Sequence, residues 1–214
     1  LGQFFEARIF RPLGMRDSGF VVTPSQRERF AAMFVAGESG RLQPARGEPP
    51  LEEARIPEPP FTEPPPTVSG GGGLVSTAAD YVRFARALLV PVEGRRILRD
   101  ESLATMTRPQ LAAQELEAPY LKIHFPGSSF GLCGVVVTDP SARGRPGGVG
   151  TYNWSGFAST HFWVDPQAGF AAVFLTQLRP PFSRLSPADV EAAVYAAYGD
   201  GPGVAAPRAA VRPE

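Results

Sequence analysis

Residues Thr151–Pro166 read TYNWSGFASTHFWVDP, and they are followed by the apolar run GFAAVFLT at positions 169–176. Aromatic, small and hydroxyl-bearing residues are crowded together here, and Asp165-Pro166 is a turn signal. Strands are predicted over residues 148–157, 160–164 and 170–176. Connections this short join antiparallel neighbours, so the stretch predicts the last three strands of an antiparallel sheet.

Helical signals surround these strands. Helices are predicted over residues 3–11, after Thr77, over 100–107 and after Ser186. Pro12 is expected to end the first helix and Gly199 the last, and Thr77 with Asp80 forms a capping box. Two further strands are predicted over 20–22 and 130–138. Because helices and strands are segregated, the predicted class is α+β, an antiparallel sheet flanked by helices.

A proline-rich segment separates the first helix from the second. Nine of the 24 prolines lie between positions 44 and 66. We interpret residues 37–67 as a surface loop with extended polyproline segments, and a partner-docking motif is the alternative. Residues 1–200 are taken as one domain, and residues 201–214 are expected to be a flexible tail.

Composition excludes several classes of partner. The 214 residues are 43% apolar, and 21 basic residues balance 21 acidic ones. No basic stripe predicts nucleic-acid binding, and apolar runs such as 170–175 are too short to cross a bilayer. Cys133 has no cysteine partner, and His124 and His161 are not at ligand spacing, so no metal or disulfide is expected. No secretory signal is recognised, and the compartment stays open.

Nucleophile motifs do not fit where they would be expected. Gly-x-Ser-x-Gly is expected to be absent, since Ser155 and Ser39 both fail the pattern. Ser-x-x-Lys does not occur because Pro119 stands three residues before the single lysine, Lys122. Tyr-x-Asn is absent as well, because the single asparagine is Asn153.

Ser155 and His161 form a conceivable nucleophile–base pair. On one straight strand they would lie about 20 Å apart, and a hairpin at residues 158–159 would bring them closer. No acid is obviously placed behind the histidine, so His161 is interpreted as a strand residue with one packed face. An unrelated α+β enzyme that uses this pair remains one alternative.

Several segments, taken in order, resemble the C-terminal part of the serine β-lactamase-related hydrolases. This group joins class C β-lactamases, penicillin-binding proteins and family VIII carboxylesterases. The segments are FFEARIFRPLGMRDSGF (4–20), SGGGGLVSTAADYVRFARALL (69–89), FGLCGVVV (130–137), WSG (154–156), FWVDP (162–166) and GFAAVFLTQ (169–177). The resemblance implies the C-terminal portion of a β-lactamase/transpeptidase-like fold.

The resemblance also implies a site at Trp154-Ser155-Gly156. The family carries its third motif there, Lys-Thr-Gly in β-lactamases and often Trp-Gly-Gly in esterases. By resemblance, these three residues contact substrate and the backbone N–H of Phe157 is a catalytic oxyanion-hole donor. A glycine common near position 159 is serine here, which is expected to stiffen the turn.

Trp154 favours neutral esters over β-lactams or D-Ala peptides. A lysine there would attract a substrate carboxylate by about 4 kcal/mol at 4 Å and an effective dielectric of about 20. Tryptophan offers an apolar face instead. Simple core packing is the alternative role for Trp154.

The family's Ser-x-x-Lys and Tyr motifs precede the segment with which this chain begins. We therefore expect a C-terminal fragment of a serine hydrolase that is inactive alone, with a small-molecule ester or β-lactam-like substrate and no cofactor. The alternatives are a catalytically inactive relative that binds ligand or serves as a scaffold, and a β-lactamase or D-Ala peptidase. Residues 169–176 would present an unpaired apolar edge, so self-association is expected.

Overall fold

The computed structural model describes residues 1–36, 40–45 and 61–198. It contains two compact units. The first comprises residues 1–97, 156–160 and 175–183, and the second comprises residues 98–155, 161–174 and those from 184 onward. Most of the proline-rich loop 37–67, the predicted stop at Gly199 and the tail 201–214 lie outside the described residues.

The second unit is built on a five-stranded antiparallel sheet whose strands follow chain order. The strands are β3 (Ser128–Phe130), β4 (Val135–Val137), β5 (Tyr152–Ser155), β6 (His161–Asp165) and β7 (Phe170–Phe174). The three strands predicted from the opening stretch are confirmed; β5 and β7 are shorter than expected, and β6 is shifted by one residue. With helices in both units, the predicted α+β class is confirmed.

The single strand predicted over 130–138 is wrong, because β3 and β4 form a hairpin there. Residues 131–134 make the turn, in which the Gly131 N–H donates to the Gly134 carbonyl at 2.9 Å. Cys133 adopts a φ of 64°, in the left-handed region. A side chain at 134 would meet the Tyr152 ring, so glycine lets these two backbones approach.

One face of the sheet packs against α8 (Pro187–Tyr198). Trp163, Val190 and Tyr195 are buried between them. The predicted start of this helix is confirmed. The Ser186 N–H donates to the Asp189 carboxylate at 3.0 Å, and the Asp189 N–H donates to the Ser186 hydroxyl at 3.2 Å.

The buried carboxylate of Asp165 fixes the turn between β6 and β7. It accepts hydrogen bonds from the N–H groups of Gly148, Gln167 and Ala168 and, at 2.6 Å, from the Tyr195 hydroxyl. Burial opposes ionisation of Asp165, but these four hydrogen bonds outweigh it and hold the pKa of the carboxyl below its usual value. Burial and the neighbouring carboxylate raise the pKa of Tyr195.

The second unit has four further helices among the described residues. The predicted helix over 100–107 is confirmed as α4 (Asp100–Thr107). The others, α5 (Ala113–Leu116), α6 (Pro119–His124) and α7 (Pro140–Arg143), were not predicted.

The first unit opens with a helix of three consecutive parts, α1 (Gly2–Phe5), a π-helical turn (Glu6–Phe10) and α2 (Arg11–Leu13). The expected stop at Pro12 is wrong. Proline is tolerated because it stands in the first turn of α2, and the helix ends at Gly14, whose φ is 67°.

The second helix of the first unit is α3 (Ala78–Ala87), and its predicted cap is confirmed. The Thr77 hydroxyl accepts the Asp80 N–H at 3.2 Å. The strand predicted over 20–22 is wrong, since only Gly19 makes a bridge there, to Val75.

A small three-stranded sheet in the first unit was not predicted. It joins β1 (Phe34–Ala36), β2 (Leu42–Pro44) and β8 (Leu178–Arg179), with β8 parallel to β1, and a 3-10 helix (Pro24–Arg29) precedes it. Within the described ranges, no helix has the length and apolar character needed to cross a bilayer. Nor do three or more metal-binding side chains cluster in that part of the chain.

We propose that β7 mediates self-association, and predict that Val173→Lys weakens it. In the described part of the chain β7 is the last strand of the five-stranded sheet, and a lysine on an edge strand opposes edge-to-edge pairing. Light scattering during size-exclusion chromatography should show the unsubstituted chain shifting toward oligomers as concentration rises, and the variant shifting less. Gln114→Lys adds the same charge on α5 and should not change association. An unsubstituted chain that stays monomeric at every concentration would contradict the proposal.

Candidate functional site

The site predicted from sequence lies where β5 turns back into β6. Ser155 pairs with His161 in the ladder between these strands. The Gly156 N–H donates to the Thr160 carbonyl at 2.8 Å, and the Ser159 N–H donates to the Gly156 carbonyl at 3.1 Å. The expected hairpin is therefore confirmed, and it brings Ser155 and His161 side by side.

Glycine fits closely at position 156, because a Cβ atom there would force the Thr160 hydroxyl to move. Ser159 stands in the left-handed region, with a φ of 63°, where glycine is the usual choice. Its hydroxyl donates to the Leu178 carbonyl and accepts the Phe182 N–H, both at 2.8 Å. These two bonds hold the strained turn and explain how serine replaces glycine.

Trp154 is exposed by 43%, so it is not a core residue. Its indole contacts the Phe130 ring edge-on, with centroids 6.0 Å apart. The tryptophan therefore presents a broad apolar face to solvent at the end of β5.

Phe157 is exposed by 47%, and the guanidinium of Arg179 lies 4.8 Å from the centre of its ring. The backbone N–H of Phe157 donates to no acceptor among the described residues. This segment thus carries a backbone donor that secondary structure does not use.

The Ser155 hydroxyl lies 2.9 Å from His161 Nδ1, and His161 Nε2 lies 2.9 Å from Glu191 Oε1. The expectation that no acid stands behind this histidine is wrong. Glu191 comes from α8, 30 residues beyond His161, and no local pattern announces that contact. The part of the expectation that gave His161 a packed face is correct, since the ring is buried and stacks on Trp163 at 5.4 Å.

Two arginines share the Glu191 carboxylate. Arg143, from the end of α7, lies 3.0 Å from Glu191 Oε1, and Arg145 lies 3.5 Å from the same oxygen. The side chains of Arg143 and Glu191 are fully enclosed, whereas Arg145 is partly exposed. Arg143 also donates to the Pro146 carbonyl. A buried carboxylate of this kind is stable only because its charge is paired.

The expected absence of Gly-x-Ser-x-Gly is wrong, because the pattern occurs at residues 127–131. Its central residue, Ser129, is buried in β3, and its hydroxyl has no hydrogen-bond partner in the described structure. A nucleophile elbow needs an exposed serine on a turn between a strand and a helix. Ser129 meets neither condition, so this match is a structural strand and not a nucleophile.

The part of the chain that is similar to a known family extends beyond the β5–β6 hairpin. The sequence profile of the Beta-lactamase family matches residues 1–196. The chain belongs to the Beta-lactamase family. This membership confirms the resemblance seen in the sequence, and it removes the basis for an unrelated enzyme built on Ser155 and His161.

Three known proteins that are similar to this chain show how much of each relative it covers. Protein Rv1367c of Mycobacterium tuberculosis is 37% identical over 86% of this chain and 45% of its own length. Esterase EstB of Burkholderia gladioli is 32% identical over 80% of this chain and 42% of its own. The solved structure of EstCE1, a hydrolase with promiscuous acyltransferase activity, superposes with a TM-score of 0.72 and 25% identity over 91% of this chain and 50% of its own. The chain spans about half the length of each.

We predict that Glu191→Gln destabilises the second unit by about 3–5 kcal/mol. The change leaves two guanidiniums without their carboxylate, and unpairing a buried charge carries a cost of this size. Chemical denaturation followed by circular dichroism measures the loss. Glu117→Gln removes a carboxylate from an exposed pair with Lys122, and it should cost under about 1 kcal/mol. Equal costs for the two variants would show that the buried cluster is not held by charge.

Proposed function

We propose that this chain supplies the third-motif wall of a serine hydrolase that cleaves neutral carboxylic esters through an acyl-enzyme. One observation carries the proposal. The N–H of Phe157, directly after the glycine of the third motif, has no acceptor among the described residues and belongs to an exposed residue. A fixed, unused backbone donor is what an oxyanion hole requires.

In this proposal the Phe157 N–H meets the charge that develops on the substrate carbonyl oxygen. Gly156 lets the acyl carbon approach the end of the strand, because the position carries no side chain. The donor is fixed by the turn before substrate arrives, so it needs no reorganisation during the reaction. One such donor lowers the activation free energy by about 3–4 kcal/mol.

The nucleophile belongs to polypeptide outside these 214 residues in this proposal. Ser-x-x-Lys is absent from the sequence, and the chain spans about half of its relatives. By family resemblance, a serine hydroxyl attacks the carbonyl while lysine and tyrosine take its proton. The alcohol leaves with a proton, and water then attacks the acyl-enzyme and releases the acid.

The preference for neutral esters is supported by Trp154. The indole is 43% exposed and stands where β-lactamases carry lysine, so the wall offers apolar contact in place of a charge. The relative EstB is named an esterase, which agrees with cleavage of an ester.

A second candidate function is cleavage of a carboxylate-bearing lactam or peptide. The observation that favours it is the guanidinium of Arg179, which lies 4.8 Å from the Phe157 ring centre. We rank it second because this cation already faces an aromatic ring, whereas the position of the family lysine is apolar.

The decisive experiment compares the 214-residue chain with the same chain joined to the polypeptide encoded upstream in its reading frame. We expect the longer protein to hydrolyse 4-nitrophenyl butanoate and the 214-residue chain to show no turnover. The longer protein should hydrolyse a carboxylate-bearing cephalosporin much more slowly than the ester. Turnover by the 214-residue chain would contradict the placement of the nucleophile, and no turnover by either would favour an inactive, ligand-binding relative.

Replacing Phe157 with proline in the longer protein should lower kcat by about 10²- to 10³-fold, because it removes the proposed oxyanion donor. Phe157→Ala is the matched control. It removes the exposed ring but keeps the N–H, and it should retain most of kcat. Circular dichroism checks that both variants fold. If alanine and proline lower kcat equally, the side chain and not the amide carries the effect.

A further inference from the structure

Ser155 is the second residue of the third motif, and its hydroxyl contacts a buried chain of polar groups. His161 Nδ1 lies 2.9 Å from the hydroxyl oxygen, and His161 Nε2 lies 2.9 Å from Glu191 Oε1. His161 is 2% exposed and Glu191 is fully buried. The direction of these two hydrogen bonds decides whether the Ser155 hydroxyl can donate a hydrogen bond to a ligand or only accept one.

The bond between His161 and Glu191 fixes the tautomer of the imidazole. Glu191 accepts from Arg143 at 3.0 Å and faces Arg145 at 3.5 Å, so it is a carboxylate and an acceptor. His161 Nε2 must therefore carry a hydrogen. In the neutral ring the other nitrogen, Nδ1, is then an acceptor. Stacking on Trp163 holds the ring plane.

The two arginines face the same carboxylate oxygen as the imidazole, Arg143 at 3.0 Å and Arg145 at 3.5 Å. In a serine-protease triad the carboxylate stabilises an imidazolium, but here the arginines occupy it. Ser155 with His161 is therefore not a nucleophile–base pair.

We propose that His161 is a positioning residue that fixes the Ser155 hydroxyl as a hydrogen-bond acceptor toward substrate. The Ser155 hydrogen is donated to Nδ1, and only the oxygen lone pairs face a ligand. The site then selects esters whose acyl group carries a hydroxyl or amine donor, and it disfavours a carboxylate at the same place. This inference rests on the proposed function, in which Ser155 lines the substrate cleft.

The hydrogen positions are measurable in the 214-residue chain without any catalysis. Long-range ¹⁵N–¹H correlation spectra of His124→Gln report His161 alone, because the chain has only two histidines. We expect a protonated Nε2 and an unprotonated Nδ1 at neutral pH. Adding Ser155→Ala should shift the Nδ1 resonance and leave Nε2 protonated. A proton on Nδ1, with or without one on Nε2, would overturn the inference.

Selectivity is tested in the longer protein with three 4-nitrophenyl esters of four-carbon acids, namely butanoyl, 3-hydroxybutanoyl and succinyl. We expect the 3-hydroxybutanoyl ester to be preferred and the succinyl ester disfavoured. Ser155→Ala should reduce the hydroxyl preference by about fivefold, the size of one neutral hydrogen bond, and Ser155→Thr should retain it.

His161→Phe keeps an aromatic ring against Trp163 but removes the acceptor that holds the Ser155 hydrogen. The freed hydroxyl can donate to a carboxylate, so the ratio of kcat/KM for succinyl to 3-hydroxybutanoyl esters should rise about tenfold or more. A purely structural role would lower all three esters together, and an unchanged ratio would overturn the inference. If the unsubstituted protein hydrolyses none of the esters, the proposed function fails, while the tautomer result still decides the role of His161.

Discussion

The second unit depends on the contacts that the buried carboxylate of Glu191 makes. A single oxygen of this side chain meets Arg143, Arg145 and His161, which come from α7, the loop after it and β6. Taking these charges out of water is costly, and the cost is offset only when all partners are in place. The helix that carries Glu191 must therefore lie in one position over the sheet. The second carboxylate oxygen of Glu191 has no partner in the described structure, so the three contacts at the first oxygen hold it.

The same cluster links packing to the polar face of the third motif. His161 is the first residue of β6, and its ladder partner Ser155 is the last residue of β5. The ring therefore transmits the position of α8 to a hydroxyl at the strand end. Next to it the turn restrains the backbone independently, through the Thr160 carbonyl and through the Ser159 hydroxyl. Side chain and main chain of this segment are thus restrained by separate sets of hydrogen bonds.

Local signals in the sequence predicted the elements that local interactions build. Thr77 and Ser186 start helices because their hydroxyls meet amides three residues on, and the Asp165-Pro166 turn lies where its side chain can cap nearby N–H groups. Turns and helix ends that depend on backbone conformation over a few residues were not predicted correctly. The turn at 131–134 interrupts a stretch rich in β-branched residues, and Gly14, not Pro12, ends the first helix.

Contacts between distant residues could not be predicted from spacing. Nothing near His161 points to Glu191, and β1 pairs with β8 across more than 140 residues of chain. The third motif is recognisable because its residues resemble a family pattern, whereas the contact between His161 and Glu191 appears only in the structure.

The two tryptophans occupy opposite environments. Trp154 faces solvent beside the proposed cleft, while Trp163 is 1% exposed and sandwiched between the rings of His161 and Tyr195. The protein thus carries two intrinsic fluorophores that report on different regions. A water-soluble quencher reaches the first, whose emission reports occupancy of the wall, and the shielded emission of the second reports the integrity of the layer beneath it.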